Sequence, residues 1–216
     1  MGWRSTHAYT LGQTVFLPTQ PPFWVSTKTY YDRMAPKIHD GALLFIGDSF
    51  FQGLAISTVD FAGIKLGIGG DTIRGVINRT IGYEPLSRAG GTILQVGLND
   101  FGAEGANWVY NIPVLFDKIL AHFTGGPVVM GLIAPITQAA QSGYMTQANI
   151  NTANGWLISK AEAYENVVLV DSPTILKDSN GYLAAANTID GLHLNSRGQT
   201  IYIELLQTAI VEKIGN

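Results

Sequence analysis

A three-layer α/β/α domain built on five parallel strands is the fold this sequence predicts. Short, β-branched apolar runs flanked by glycine recur along the chain, and longer amphipathic stretches separate the later ones. The 216 residues are 46% hydrophobic and only 13% charged. That balance suits a folded globule with one substantial core and excludes a disordered tail. Strands alternating with helices imply right-handed crossovers and a parallel sheet covered on both faces.

Residues 1–23 differ in character from the rest of the chain. Residues 14–17 read as a short strand stopped by Pro18, and 19–22 as an extended segment. Residues 24–38 read as a lead-in helix that Pro36 ends or kinks. The chain therefore divides into an extension with its helix over 1–40 and a main domain over 41–216. Strands are expected at 42–46, 61–66, 92–96, 127–133 and 167–170, where short β-branched runs favour buried strands over helix segments. A first long helix is expected over 106–123, with Pro113 either breaking it or marking its true start. A second, over 146–164, presents Ile150, Ala153, Trp156, Leu157 and Ile158 as an apolar face. A third closes the chain over 196–214, with Ile201, Ile203, Leu205, Ala209 and Ile210 among its apolar positions.

Composition removes several function classes. The formal charge is −3 and no Lys/Arg cluster appears, so there is no electrostatic footprint for nucleic acid. The absence of cysteine excludes disulfides, zinc–thiolate sites and a cysteine nucleophile. No apolar window reaches a membrane span, and the first residues lack a signal-peptide stretch, so the sequence reads as that of a soluble chain. A homo-oligomer is compatible with the sequence, although no surface stripe identifies an interface.

In a parallel sheet, ligands bind outside the carboxyl ends of the strands. Gly47-Asp48-Ser49-Phe50 follows the first expected strand, Gly67-Ile68-Gly69-Gly70-Asp71-Thr72 the second, and Gly97-Leu98-Asn99-Asp100 the third. Asp190-Gly191-Leu192-His193 precedes the last helix. Together they supply what acyl transfer needs. Ser49 is a nucleophile requiring a base. His193 is that base, since imidazole exchanges protons near neutrality. Asp190, three residues earlier, can orient the ring and stabilise imidazolium. The Ser49 N–H, the Gly70 N–H and the Asn99 amide are candidate donors to an oxyanion.

These four segments resemble, in order, the four sequence blocks of GDSL/SGNH hydrolases. Gly47-Asp48-Ser49 matches the first block and its nucleophile, Gly70 the second, Asn99 the third, and Asp190 with His193 the Asp-x-x-His of the last. The run 67–72 is especially similar to the platelet-activating-factor acetylhydrolase branch. The resemblance spans roughly residues 44–195 and implies a flavodoxin-like fold and ester hydrolysis without metal or other cofactor. It also implies a preference for short acyl groups. Two departures stand out. Lys65-Leu66 occupies the stretch where the family often carries a supporting asparagine, and Phe50 and Phe51 follow the nucleophile where the family's name puts leucine.

Plainer readings exist for each residue. Ser49 alone could be a helix N-cap, and Asn99 a turn residue. The 67–72 run could be a phosphate loop, but it lacks the required spacing and lysine, and Asp71 would repel a phosphate. Asp48 reads as a brace for the nucleophile turn and Asp100 as a structural acceptor. His7, His39 and His122 lack the acid partner that His193 has, and the chain offers too few clustered donors for a metal. Arg74 and Arg79 read as surface or loop-bracing cations, and Trp108, Tyr110, Tyr144 and Trp156 mostly as packing residues. The reading is a serine esterase acting on short acyl, preferably acetyl, esters of a small molecule or glycan. A lysophospholipase or thioesterase is the rival enzyme, and a non-catalytic glycan-binding module the rival class.

Overall fold

The computed structural model describes residues 20–56 and 63–215. The strand expected at 14–17, its stop at Pro18 and the candidate His7 lie outside them. Five strands form one parallel sheet: β1 (Leu43–Gly47), β2 (Gly63–Gly67), β3 (Gly91–Gln95), β4 (Val128–Gly131) and β5 (Val167–Val170), in the order β2-β1-β3-β4-β5. The expected three-layer α/β/α, flavodoxin-like sheet is thus the observed one. Strand boundaries shift by at most two residues, and those of β5 not at all.

Side-chain alternation splits the core in two. Leu44, Ile46, Leu94 and Met130 face one layer, where α3 (Ile73–Thr80), α5 (Trp108–His122) and α6 (Gln147–Ala161) pack. Leu43, Phe45, Ile93 and Val129 face the other, covered by α2 (Ser49–Gly53), α7 (Ser172–Leu176) and α8 (Ser196–Ile214). The short α4 (Asp100–Glu104) precedes α5. The lead-in helix α1 (Pro22–Met34) passes into a 3-10 turn that contains Pro36. Its Tyr31 hydroxyl donates to the Gly67 carbonyl at 2.8 Å, tying it to the tip of β2.

Two helix expectations need correction. Pro113 neither breaks nor begins its helix, because α5 runs straight through it. The bond it forfeits is to the carbonyl of Val109, an exposed residue whose backbone water can reach. Ile158 does not belong to the buried face of α6. It is 45% exposed, and the space beneath the helix is filled by Ile150, Ala153, Asn154 and Leu157. Asn154 explains why hydrophobicity alone misplaces that face: its amide accepts from the Ile133 N–H and donates to the Ile133 carbonyl, fixing the chain beyond β4.

Register explains why the strand tips matter. Gly47 is paired with Gly67 on one side and with Gln95 on the other, so β1, β2 and β3 end level. The chain leaves β1 toward β2 but later returns to the opposite side as β3, which makes the tip of β1 the topological switch point. Among the described residues no helix is long and apolar enough to cross a membrane.

Candidate active site

Ser49 opens α2 directly after the tip of β1. Asp48 is the N-cap, its carboxylate accepting from the Phe50 N–H at 2.9 Å. The brace expected of Asp48 is therefore real, and it is entirely local. Burial pushes the Asp48 carboxyl up to about 7, against the pull of the Phe50 N–H; Asp71 adds to the rise and His193 opposes it.

The second block forms a turn in which Gly70 adopts φ +75°, a conformation glycine takes without strain. Two side chains hold this turn. Gln52, on α2, accepts from the Gly69 N–H at 2.8 Å. Asp71 is buried and pairs with Arg79 at 2.7 Å, while the same guanidinium donates to the Gly47 carbonyl at 3.1 Å. Of the two arginines singled out in the sequence, Arg79 is a loop brace buried under the turn. Arg74 is partly exposed and bonds Glu104 at 3.1 Å.

Asn99 donates one amide hydrogen to the Asp71 carbonyl at 2.9 Å, which draws it beside Gly70 and leaves its second hydrogen to point elsewhere. Asp100, wholly buried, accepts from the Ile73 N–H through both oxygens, so it is the structural acceptor expected. Burial raises its pKa well above the ordinary carboxylate range. Lys65, at the position of the missing asparagine, bonds the Leu54 carbonyl at 3.3 Å instead.

His193 arrives from the far end of the chain. Its Nε2 lies 2.9 Å from Ser49 Oγ and its Nδ1 lies 2.6 Å from Asp190 Oδ2. With Nδ1–H donating to the carboxylate, Nε2 is left free to accept the serine hydroxyl. The second Asp190 oxygen accepts from the N–H groups of Leu192 and His193. Partial burial pushes the Asp190 carboxyl up, but the His193 ring and these two N–H groups outweigh it and bring it down to about 2. It stays an anion at any ordinary pH.

The structure thus joins Ser49, His193 and Asp190 by direct bonds and brings Gly70 and Asn99 together through Asp71. A Cβ on Gly69 would come 3.9 Å from that of Ser49 and 3.7 Å from the Phe23 ring. The turn around Gly69 and Gly70 therefore lies against Ser49 on one side and α1 on the other. The N–H groups of Ser49 and Gly70 have no acceptor among the described residues.

Sequence reasoning missed the two glutamines. Gln199, on α8, accepts from the Ala55 N–H at 2.9 Å and donates to the carbonyls of Gly53 and Leu194 at 3.3 and 3.4 Å. It latches the end of the nucleophile helix to the residue after His193, across more than 140 positions. No local pattern marks either glutamine. The aromatic residues divide: Trp108 and Trp156 pack together with ring centroids 5.5 Å apart, whereas Tyr110 and Tyr144 are exposed. A pocket of about 180 Å³ opens beside Ser49 and His193, between α2 and α8. No group of three or more His, Asp or Glu side chains that could hold a metal ion occurs among the described residues.

Comparison with known proteins agrees with this geometry. No curated protein matches the chain. Among solved structures, a GDSL-like lipase from Bacteroides thetaiotaomicron is 19% identical with a TM-score of 0.70, over 86% of this chain and 97% of that one. A lipase/acylhydrolase from Enterococcus faecalis is 16% identical with a TM-score of 0.64, over 78% and 94%. An acetyl xylan esterase from Geobacillus stearothermophilus is 18% identical with a TM-score of 0.59, over 83% and 97%. At such identities these likenesses establish the fold. The model of the GDSL-like lipase/acylhydrolase family matches residues 45–201, most of the chain and all four blocks, and the chain belongs to that family of ester-bond hydrolases.

Proposed function

We propose that the chain is a serine esterase that cleaves short acyl esters through an acyl-serine intermediate. The observation that carries the reading is the unbroken line Asp190–His193–Ser49, with contacts of 2.6 and 2.9 Å. His193 Nε2 takes the hydroxyl proton as Ser49 Oγ bonds to the ester carbonyl carbon. The anionic Asp190 steadies the imidazolium that forms. The carbonyl oxygen, now negative, is received by the N–H groups of Ser49 and Gly70 and the spare hydrogen of Asn99. His193 then returns its proton to the leaving oxygen. Water repeats the sequence on the acyl-serine.

Two observations favour a short acyl group on a neutral molecule over a lipid or thioester substrate. No Lys or Arg lines the pocket beside Ser49, so a phosphate-bearing head group finds no counterion among the described residues. One solved structure of the same fold is an acetyl xylan esterase, which makes an acetyl ester the natural first trial.

The test is hydrolysis of p-nitrophenyl acetate by wild-type and Ser49→Ala protein without added metal, followed by a series of longer acyl chains. The expected outcome is turnover lost by about 10⁴-fold or more in the variant, with acetate or butyrate preferred. Equal rates in the two proteins refute the serine mechanism, and an optimum at about eight carbons or more refutes the short-acyl assignment.

A further inference from the structure

We propose that the pocket between α2 and α8 receives the alcohol half of the ester, and that Ile189 at its lip sets the size of alcohol admitted. The proposal rests on the serine-esterase reading and adds the identity of the leaving group. The residues on the pocket wall place it. Besides Ser49 and His193 it is bounded by Phe50 and Leu54 from the nucleophile side and by Ile189 and Leu194 from the segment carrying the base. Neither Gly70 nor Asn99 borders it.

Bond geometry then assigns the occupant. The tetrahedral carbon holds Ser49 Oγ, the oxyanion, the acyl carbon and the leaving oxygen. The oxyanion points toward Gly70 and Asn99, away from this pocket. The leaving oxygen must face His193 Nε2, because that nitrogen gives up its proton as the carbon–oxygen bond breaks and the alcohol departs. Whatever is attached to the leaving oxygen therefore extends past His193, into the space walled by Ile189 and Leu194 of the same segment.

Chemistry and size narrow the alcohol. Phe50, Leu54, Ile189 and Leu194 present apolar surface, and the one amide, Gln199, already has both ends engaged by Ala55, Gly53 and Leu194. An uncharged group that asks for few hydrogen bonds suits such walls. A cavity of roughly 150 Å³ accepts benzene, so about 180 Å³ accepts one ring or its equivalent. The favoured substrate is an ester of a compact, uncharged, single-ring or smaller alcohol. Ile189 is 71% exposed, so its side chain can be changed without disturbing the core.

The experiment sets two ester series against wild-type, Ile189→Trp and Ile189→Ala proteins. One series holds acetate constant and varies the alcohol from ethanol through phenol to 2-naphthol. The other holds p-nitrophenol constant and varies the acyl group from acetate to hexanoate. Ile189→Trp is expected to lower kcat/KM for 2-naphthyl acetate about tenfold or more, spare ethyl acetate, and leave the acyl ranking unchanged. Ile189→Ala should favour the naphthyl ester. Transfer of acetyl to added benzyl alcohol, relative to water, should fall in Ile189→Trp, because the incoming alcohol must occupy the same space. A changed acyl ranking with the alcohol series untouched overturns the assignment, as does no change in either series. Both results differ from failure of the esterase reading, which shows as equal turnover in the wild-type and Ser49→Ala proteins.

Discussion

Ser49 stands on backbone buried without interruption from Ala42 to Asp48, whereas Asp190 and His193 stand on a loop where they are 47% and 40% exposed. The first region is positioned from below. Sheet register levels the tips of β1, β2 and β3, and Asp48, Asp71, Arg79 and Asp100 fasten the turns above them from inside. The second region is positioned from within itself. Thr188 Oγ1 donates to the His193 carbonyl and accepts from the Gly191 N–H, the Ile189 N–H reaches the same His193 carbonyl, and Asp190 holds both backbone and ring. Among the described residues, the loop is tied to its surroundings by the Thr137 N–H donating to the Gly191 carbonyl, the Gln199 amide to the Leu194 carbonyl, the Asn195 amide to the Ala186 carbonyl and the His193–Ser49 contact itself, with Leu194 buried in the core. The proposed catalytic apparatus therefore joins a deeply seated half to a self-tied half, and the joint between them is where geometry is most easily lost.

That contrast predicts unequal sensitivities. The largest effect is expected from Asp190→Asn, which removes the ring's anionic partner. Turnover should fall about 10³- to 10⁴-fold. Asn99→Ala, on the deeply seated side, deletes the proposed oxyanion donor together with its bond to the Asp71 carbonyl and should cost about 10²- to 10³-fold. Steady-state kinetics on p-nitrophenyl acetate decide the order, and the reverse order breaks the contrast.

A smaller effect is expected at the joint. Gln199→Ala should lower kcat about tenfold with KM moved less, since its three hydrogen bonds set the separation of Ser49 and His193 while its side chain also borders the pocket. Gln52→Ala should cost less, because Gly69 is also secured by the Asp71–Arg79 pair beneath its turn. Equal losses, or a loss carried by KM, would show that Gln199 serves the pocket wall rather than the joint.

The smallest effect on activity is expected from Asp48→Asn, whose signature lies in stability. Asparagine caps a helix as well as aspartate does, so α2 should survive. In the wild-type protein the folded-state pKa of Asp48 is raised from 3.8 to about 7. Its contribution to stability is thus fully present below about 3.8 and is lost as pH rises through about 7, by up to about 4 kcal/mol. Chemical denaturation from pH 4 to 8 should show that decline flattened in Asp48→Asn. An unchanged slope would mean that Asp48 is not the buried acid responsible.

Most of the deeply seated half was legible in the sequence, because its information is local. Short apolar runs followed closely by glycine mark the tips of β1, β2 and β3, and Gly47-Asp48-Ser49, Gly70 and Asn99 all fall at or just beyond those tips. The Asp190–His193 pair was legible from its three-residue spacing. What joins the halves was not. Gln199 acts on Gly53 and Ala55 from a helix far along the chain, and Gln52 acts on a turn beyond the next strand. An amide that pairs with backbone imposes no sequence requirement on its partner, so nothing in either segment announces the other. Arg79 reads in the sequence as a surface or loop-bracing cation, and its burial depends on Asp71 and the Gly47 carbonyl meeting it in space. Pro113 and Ile158 misled for the converse reason: each follows a sound local rule that exposure of the surrounding backbone or side chain overrides.

The tip of β2 has a consequence for how this scaffold can change. A methyl group added to Gly67 would stand 2.4 Å from the Gln52 backbone nitrogen, so β2 and the nucleophile helix meet main chain to main chain. No neighbouring side chain can yield to make room. Mutational drift is closed off at that point, and a lineage seeking new esters must explore elsewhere. The pocket wall offers the open route, since Ile189 can grow, shrink or turn polar while the reacting groups stay where they are.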